Sequence, residues 1–470
     1  MAFKFNEHFN SSAKITYLNQ FRFGQLEFDN PSASWQGHNY VREHDYYPKF
    51  PVLIQSNGLP WDIANSYLMS LVQQKQPWEM ESVNTRAKGL LAYLRFLEHS
   101  NLNFLHLPKN NRQKAPYRFR AKLSELIYEG LSVSYAANCI RAVIDFYKHI
   151  VKWKLLNPEM LENSPYQTIE SLIAYISGDG FSRIKKIEAA DISIKIPAPQ
   201  VPVDRIKDGG ILRPLSIAEQ RVLKTYIDSP DSNTALSLLI KIAVTTGARL
   251  QTICTIRNHH IDYLCSELES RRKAGKARIS IELNTGRFRD IDTKNGTSHK
   301  LLFSPDIIEC LYIYSISEVH EKRMFVSYYG KTRNNYLFLT RDGNPFYTSK
   351  KEILERQKEV AIPDINIKKF IIKTGGSVDK LLKNLVKSML DNHVEVKSFR
   401  IHDLRATFGM NLVRRLSASG ISGIKLLITV RDRMGHKDIS VTQRYLDFDE
   451  MLSDMETTTE LYEKNLFGEY

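Results

Sequence analysis

Apolar positions along this 470-residue chain follow a 3.6-residue rhythm over most of its length and a two-residue rhythm in only a few places. In WDIANSYLMSLVQQ, Ile63, Tyr67, Leu68 and Leu71 share one helical face. TRAKGLLAYLRFLEHS repeats the pattern with Leu90, Leu91, Leu94 and Leu97, and FRAKLSELIYEG and SVSYAANCIRAVIDFYKHIVKW follow it. These segments predict a small helical bundle from Trp61 to about Asn157. Ahead of them, Tyr17, Phe21, Phe23, Phe28, Trp35, Tyr40, Tyr46 and Tyr47 alternate with Asn, Ser, Gly and Pro, which reads as an irregular or β-containing arm.

Prolines and a Gly-Gly pair between about Ile194 and Pro214 predict an extended linker. Ser216 and Glu219 then form a capping box that opens a helix. SNTALSLLIKIAVTTG is a second helix, ending at Gly247. RISIEL and SHKLLF alternate like strands around a Lys294-Asn295-Gly296 turn, and YLFLT near Leu339 reads as another strand in a mostly helical remainder. The expected architecture is mainly α with a small antiparallel β-sheet: an arm over 1–55, a helical domain over 56–190, a linker over 191–214 and a larger α-rich domain over 215–470.

Charge narrows the partners. Lys plus Arg number 66 against 52 Asp plus Glu, a net +14, which favours a polyanion. Cys139, Cys254, Cys265 and Cys310 show neither disulfide nor zinc spacing and fit a reducing cytosol. The first residues lack an uninterrupted apolar run, so no secretory signal is expected. No stretch has the length and apolarity of a membrane span, and a cytoplasmic location is expected. On the bundle, Lys109, Arg112, Lys114, Arg118, Arg120 and Lys122, then Lys148, Lys152 and Lys154, read either as a solvated surface or as a face that tracks phosphates. SRRKAGKAR, with Arg271, Arg272 and Lys273, reads as a basic loop before a strand, suited to the phosphates of a polyanion rather than to a targeting signal.

Six residues in the second half form an ordered series: Arg249 in TGAR, Lys294 in TKNG, His402 and Arg405 in HDLRATF, His436 in MGH and Tyr445 in TQRY. Each alone has a structural explanation; His402 and Arg405, for instance, simply share a helix face. In this order and spacing, however, they resemble the tyrosine recombinase (phage integrase) family over about residues 212–460. The preceding helical segment is similar to that family's core DNA-binding domain in position and character. The resemblance implies that Tyr445 attacks a DNA phosphodiester, forming a 3′-phosphotyrosine and releasing a 5′-hydroxyl. It implies that Arg249, Arg405 and His436 bind the phosphate, that His402 is the acid–base group, and that Lys294 protonates the leaving oxygen. No cofactor and no metal is implied, and no paired-carboxylate cluster suggests one.

The series departs from the family at Thr252, where many members carry an acidic residue that supports the first arginine. The interval from Lys294 to His402 is long and holds an apparent insertion around IKKFIIKTGGSVDKLL. Lys300 rivals Lys294 for the hairpin lysine. The resemblance implies a site-specific integrase of a mobile element, acting on double-stranded DNA as a homotetramer on paired sites, with accessory proteins as possible helpers. Two alternatives share the chemistry or the fold: a type IB topoisomerase or telomere resolvase-like enzyme, and a catalytically silent architectural DNA-binding protein. The helix after Tyr445, with Met451, Met455 and Leu461, packs in cis or docks on a neighbour; the pattern fits both.

Overall fold

The computed structural model describes residues 8–22, 46–72, 79–152, 155, 157–176, 182–197, 201–275, 280–286, 289–360, 371–393 and 396–467. The chain is mainly helical with small antiparallel sheets. It divides into one unit of residues 1–199 with 353–371 and a second of 200–352 with 372–470.

In the first unit, β1 (Lys14–Arg22) pairs antiparallel with β2 (Tyr46–Ile54). Helices α1 (Asp62–Val72), α2 (Met80–His99), α3 (Ala115–Tyr128) and α4 (Val133–Lys152) follow. The predicted bundle is present, and the arm is part of it. Phe9, Phe50 and Leu53 share one core with Leu90, Phe119 and Phe146. Phe23, Phe28, Trp35 and Tyr40 of the arm lie outside the described residues. Gly89 lets α2 and α4 approach closely, since a Cβ there would meet the Ala142 methyl at 2.6 Å. The segment after the bundle contains a hairpin, β3 (Thr168–Ile176) with β4 (Ser182–Ala190), that the helical reading of this region did not anticipate. Gly178-Asp179-Gly180 between two β-branched runs is its signal in the sequence.

The second unit opens inside the predicted linker. A minimal hairpin pairs β5 (Ile206–Lys207) with β6 (Ile211–Leu212), with Asp208, Gly209 and Gly210 as its turn. Then come α5 (Ile217–Ile227), α6 (Thr234–Thr246), α7 (Leu250–Cys254) and α8 (Asn258–Lys273). The capping box at Ser216 and Glu219 forms as expected, and α6 ends on Gly247. Strands β7 (Ile281–Thr285) and β8 (His299–Phe303) pair antiparallel, and Lys294–Gly296 between them forms a 3-10 turn. Helices α9 (Pro305–Ser315), α10 (Glu318–Phe325), α11 (Lys350–Val360), α12 (Gly376–Asn392), α13 (Asp403–Ala418), α14 (Gly423–Met434) and α15 (Ile439–Phe467) complete the chain, α11 from Ile353 onward belonging to the first unit.

Two expectations change here. YLFLT forms no ladder: only isolated bridges join Tyr336 to Arg257 and Leu339 to Pro345, while Tyr336, Leu337, Phe338 and Leu339 are buried. Full burial of the run, rather than strand pairing, accounts for its apolarity. The apparent insertion is in part core: from Gly376 onward it is α12, with Val378 and Leu382 buried. Its residues 367–370 lie outside the described residues. The core of this unit surrounds α6, whose Leu239, Ile240 and Ile242 are fully enclosed. A second cluster joins Ile206 and Leu212 of the hairpin to α13, α14 and α15. All four cysteines are free. No helix among the described residues is long and apolar enough to cross a membrane.

Candidate active site

Local structure explains where each residue of the series sits. Arg249 is the N-cap of the short helix α7. His402 is the N-cap of α13, and Arg405 lies in its first turn. Gly435 ends α14 with φ 64°, a left-handed turn that suits glycine. It delivers His436 back toward the other groups. Tyr445 lies on α15, and its ring passes so close to α13 that a Cβ on Gly409 would meet it at 2.4 Å. A β-carbon at that one position would push the tyrosine out of place.

Three of the six residues meet at a single oxygen. Asp208, at the tip of the β5–β6 hairpin, accepts from Arg405 Nε at 2.9 Å, from His436 Nε2 at 3.2 Å and from the Tyr445 hydroxyl at 3.1 Å, all on Oδ2. The Asp208 and Arg405 side chains are 3% and 2% exposed, and Tyr445 is fully enclosed. Arg405 also donates to the carbonyls of Gly247 and Met434, both at 2.7 Å, which fixes the plane of its guanidinium. The Thr442 hydroxyl lies 2.9 Å from His436 Nδ1 and orients the ring, while the imidazole stacks at 5.8 Å on Tyr445.

Arg249, Lys294, Arg405 and His436 line a cleft of about 250 Å³ together with Asp208, Thr252 and His299. Lys294 is exposed on its 3-10 turn. Lys300, the rival, pairs with Glu282 at 2.8 Å on the outer face of the β7–β8 hairpin. Thr252 is buried beside Arg249, and the carboxylate present in this site comes instead from Asp208 on a different element.

Electrostatics follow from this enclosure. Burial opposes ionisation of Asp208, but the His436 hydrogen bond and the Arg405 charge outweigh it and hold the carboxyl well below its usual range. Burial, and then the Asp208 charge, push the Tyr445 phenol well above its ordinary value, with Arg405 and Arg249 pulling the other way. Burial and the Arg405 charge lower His402. Its ring therefore favours the neutral form. Arg249 is lowered by burial and by repulsion from Arg405.

The expected DNA-contact residues are dispersed. Arg118 is exposed on α3, as are Lys148 and Lys152 on α4. Arg120 is half-buried on α3, and Lys122 pairs with Glu125 at 2.9 Å. Lys114 turns inward to the Ser164 carbonyl at 2.7 Å, so it belongs to the fold and not to a basic face. Arg271, Arg272 and Lys273 form the last turn of α8 rather than a loop. Arg271 donates to Ser280 O at 3.1 Å and Arg272 pairs with Glu309. Lys276 and Arg278 lie outside the described residues, as does Lys154. Among the described residues no group of His, Cys, Asp or Glu is placed to hold a metal ion.

Sequence reasoning missed Asp208 and Thr442. Thr442 was legible as the threonine of T-x-x-Y. Asp208 was not, because an Asp before Gly-Gly in a linker signals only a turn.

No family model matches the chain, and no curated protein matches it. Solved structures similar to it include the Tn1549 transposon integrase in complex with transposon right end DNA. That pair is 15% identical, covers 84% of this chain and 99% of the other, and has a TM-score of 0.44. The XerH site-specific recombinase bound to its difH substrate is 15% identical, with 81% of each chain covered and a TM-score of 0.43. The XerA recombinase is also 15% identical, covering 85% of this chain and 98% of its own, with a TM-score of 0.30.

Proposed function

We propose that this protein is a tyrosine-type site-specific DNA recombinase that cuts and rejoins DNA through a 3′-phosphotyrosine, in the integration or excision of a mobile element. The observation that carries the reading is the convergence of Arg405, His436 and Tyr445 on one anionic oxygen, beside a cleft lined by Arg249 and Lys294. A scissile phosphate suits that point: two guanidiniums and an imidazole N–H donate to its non-bridging oxygens.

In the proposed step the Tyr445 oxygen forms a bond to phosphorus and the bond from phosphorus to the 5′-oxygen breaks. The phenol proton passes to the neutral His402 ring. Lys294 gives a proton to the departing 5′-oxygen. Rejoining reverses each transfer with a 5′-hydroxyl from the partner strand, so no external energy source is needed. The helical unit, through Arg118, Arg120, Lys122, Lys148 and Lys152, grips the duplex backbone without reading its sequence. Arg271, Arg272 and Lys273 add to that grip from the catalytic unit. The working form is a homotetramer on paired double-stranded sites in the cytoplasm.

The test is covalent capture. Labelled nicked duplexes of randomised sequence are incubated with the protein, and adducts that survive denaturing electrophoresis are recovered and sequenced. The wild-type chain should form an adduct, Tyr445→Phe none, and Arg249→Ala or Arg405→Ala on the order of a hundredfold less. An adduct that persists in Tyr445→Phe rejects the nucleophile assignment. Tight binding with no adduct favours an architectural protein.

A further inference from the structure

Three of the groups that the proposed reaction needs at the phosphate are already spent. The Tyr445 hydroxyl, the His436 Nε2–H and the Arg405 Nε–H all point at Asp208 Oδ2. The nucleophile does not reach open space: Tyr445 is fully enclosed and does not line the cleft, whereas Asp208 does. The turn that carries Asp208 lies directly over the remaining groups, since a Cβ on Gly209 would sit 3.9 Å from Lys294 Nζ and 4.0 Å from His402 Nε2. A DNA phosphate and this carboxylate cannot occupy the same three donors. Two anions that close repel strongly in an enclosed site.

We infer that Asp208 is an internal stand-in for the scissile phosphate, holding the catalytic groups assembled but shut until a DNA phosphate displaces it. This rests on the recombinase reading and adds a regulation of the same site. The groups that face the carboxylate from each packed element are Arg249 of α7, Arg405 of α13, His436 after α14, Tyr445 of α15 and Lys294 of the β7–β8 connection. These five are donors or cations, joined in the cleft lining by His299 and Lys437, with Asp438 as its second carboxylate.

The hairpin is built for a tip that moves on fixed stems. Ile206 and Leu212 are buried in the cluster that contains Tyr445. Arg444 donates to the Lys207 carbonyl at 2.8 Å, and Arg400 to that of Ile211 at 3.1 Å. Between these anchors, Gly209 at φ 66° and Gly210 carry the backbone freedom. A change of Asp208 rotamer with a shift of the glycine pair clears the oxygen's position without unpacking the stems. Withdrawal also takes away the acceptor that holds the Tyr445 hydroxyl, which is then free to turn to the phosphorus. Entry of substrate and release of the nucleophile thereby become one event.

The experiment uses the full chain and two probes. The first is inorganic phosphate, which needs no DNA. In phosphate-free buffer Asp208→Ala should melt below wild type, because the cations lose their anion; phosphate should restore its melting temperature. Its phosphate affinity should exceed that of wild type roughly tenfold or more, and the gain should vanish when Arg405→Ala is added. Asp208→Asn, nearly isosteric and uncharged, gives the same comparison if the alanine variant fails to fold. The second probe is the nicked-duplex pool, on which Asp208→Asn should form adduct several-fold faster than wild type.

Equal phosphate affinity in wild type and a folded Asp208 variant overturns the inference. So does a loss of adduct in Asp208→Asn, which would make the carboxylate a group the reaction requires. If no variant ever forms an adduct while phosphate affinity rises as stated, the recombinase reading falls and the internal anion stands.

Discussion

Two buried tyrosine sites in this molecule treat the same side chain differently. In the helical unit, the Tyr93 and Tyr147 hydroxyls lie 2.8 Å apart, and Tyr147 donates to the Phe104 carbonyl at 2.5 Å. Partners there are neutral, the surroundings are the rings of Phe96, Phe119 and Phe146, and burial is the main force that drives both phenols up, with Tyr147 adding to the rise at Tyr93. In the second unit, Tyr445 is just as enclosed, yet its hydroxyl donates to a carboxylate that also accepts from a guanidinium and an imidazole. A neutral pair satisfies two polar atoms at low cost. A buried set of charges costs several kcal/mol per ion in lost hydration and is held only by mutual geometry. The first arrangement packs a core; the second holds charged groups in a fixed geometry.

Removing one hydroxyl from each site breaks the comparison most sharply. Tyr445→Phe should abolish the covalent adduct while changing unfolding free energy by only about 1 kcal/mol. Tyr147→Phe should lower stability by roughly 1–2 kcal/mol and leave adduct formation per folded molecule unchanged. Adduct assays and urea titrations on both variants decide it.

Next in size is Arg405→Ala. It leaves Asp208 buried without its guanidinium and should cost about 3–5 kcal/mol in urea unfolding. Arg405→Ala with Asp208→Ala should recover much of that loss, because the stranded charge is gone. No recovery would mean that Arg405 acts mainly through its carbonyl contacts to Gly247 and Met434.

A pH-dependent effect separates the second unit's buried histidines from Asp208. Burial lowers His260 to about 3 and His320 to about 4. Each is neutral when folded, so the unfolded chain binds the extra proton and stability falls as pH drops below about 6.5. The slope is at most about 1.4 kcal/mol per pH unit for each histidine, ending near those two lowered values. Asp208, held low, contributes stability that is lost only as pH falls below the ordinary carboxylate range. Unfolding titrations at pH 7, 5 and 3 should show the histidine loss first, and His260→Gln should flatten it.

Least of all is Lys300→Ala. Its pair with Glu282 is solvent-exposed, so stability should change by less than about 1 kcal/mol and the adduct not at all. Lys294→Ala should slow cleavage sharply, and a substrate with a bridging 5′-sulfur, whose leaving group needs no proton, should rescue it. Rescue of Lys300→Ala instead would reverse the assignment.

Much of the architecture was readable from spacing alone. The leucines of α2 and the alternation of α4 announce helices because a 3.6-residue period leaves an apolar stripe. Ser216 with Glu219 announces a helix start because both partners lie within one turn. The chemical types of the site were readable for a similar reason, as Arg, His and Tyr sit in short local motifs. Reading failed where a residue's role depends on a distant neighbour. Lys114 looks like a surface cation until the Ser164 carbonyl is found beside it. Leu337 and Phe338 look like strand because full burial and strand pairing leave the same apolar run.

The sequence by itself determined the helical bundle, the caps, and the identity and order of the six residues. These depend on contacts within a few positions, where covalent geometry sets the spacing. Only the tertiary structure decided that Asp208 meets Arg405, Tyr445 and His436, across separations of 197 to 237 residues. That meeting depends on Ile206 and Leu212 finding the same core as Tyr445. Burial of apolar area sets it, and burial has no period along the chain.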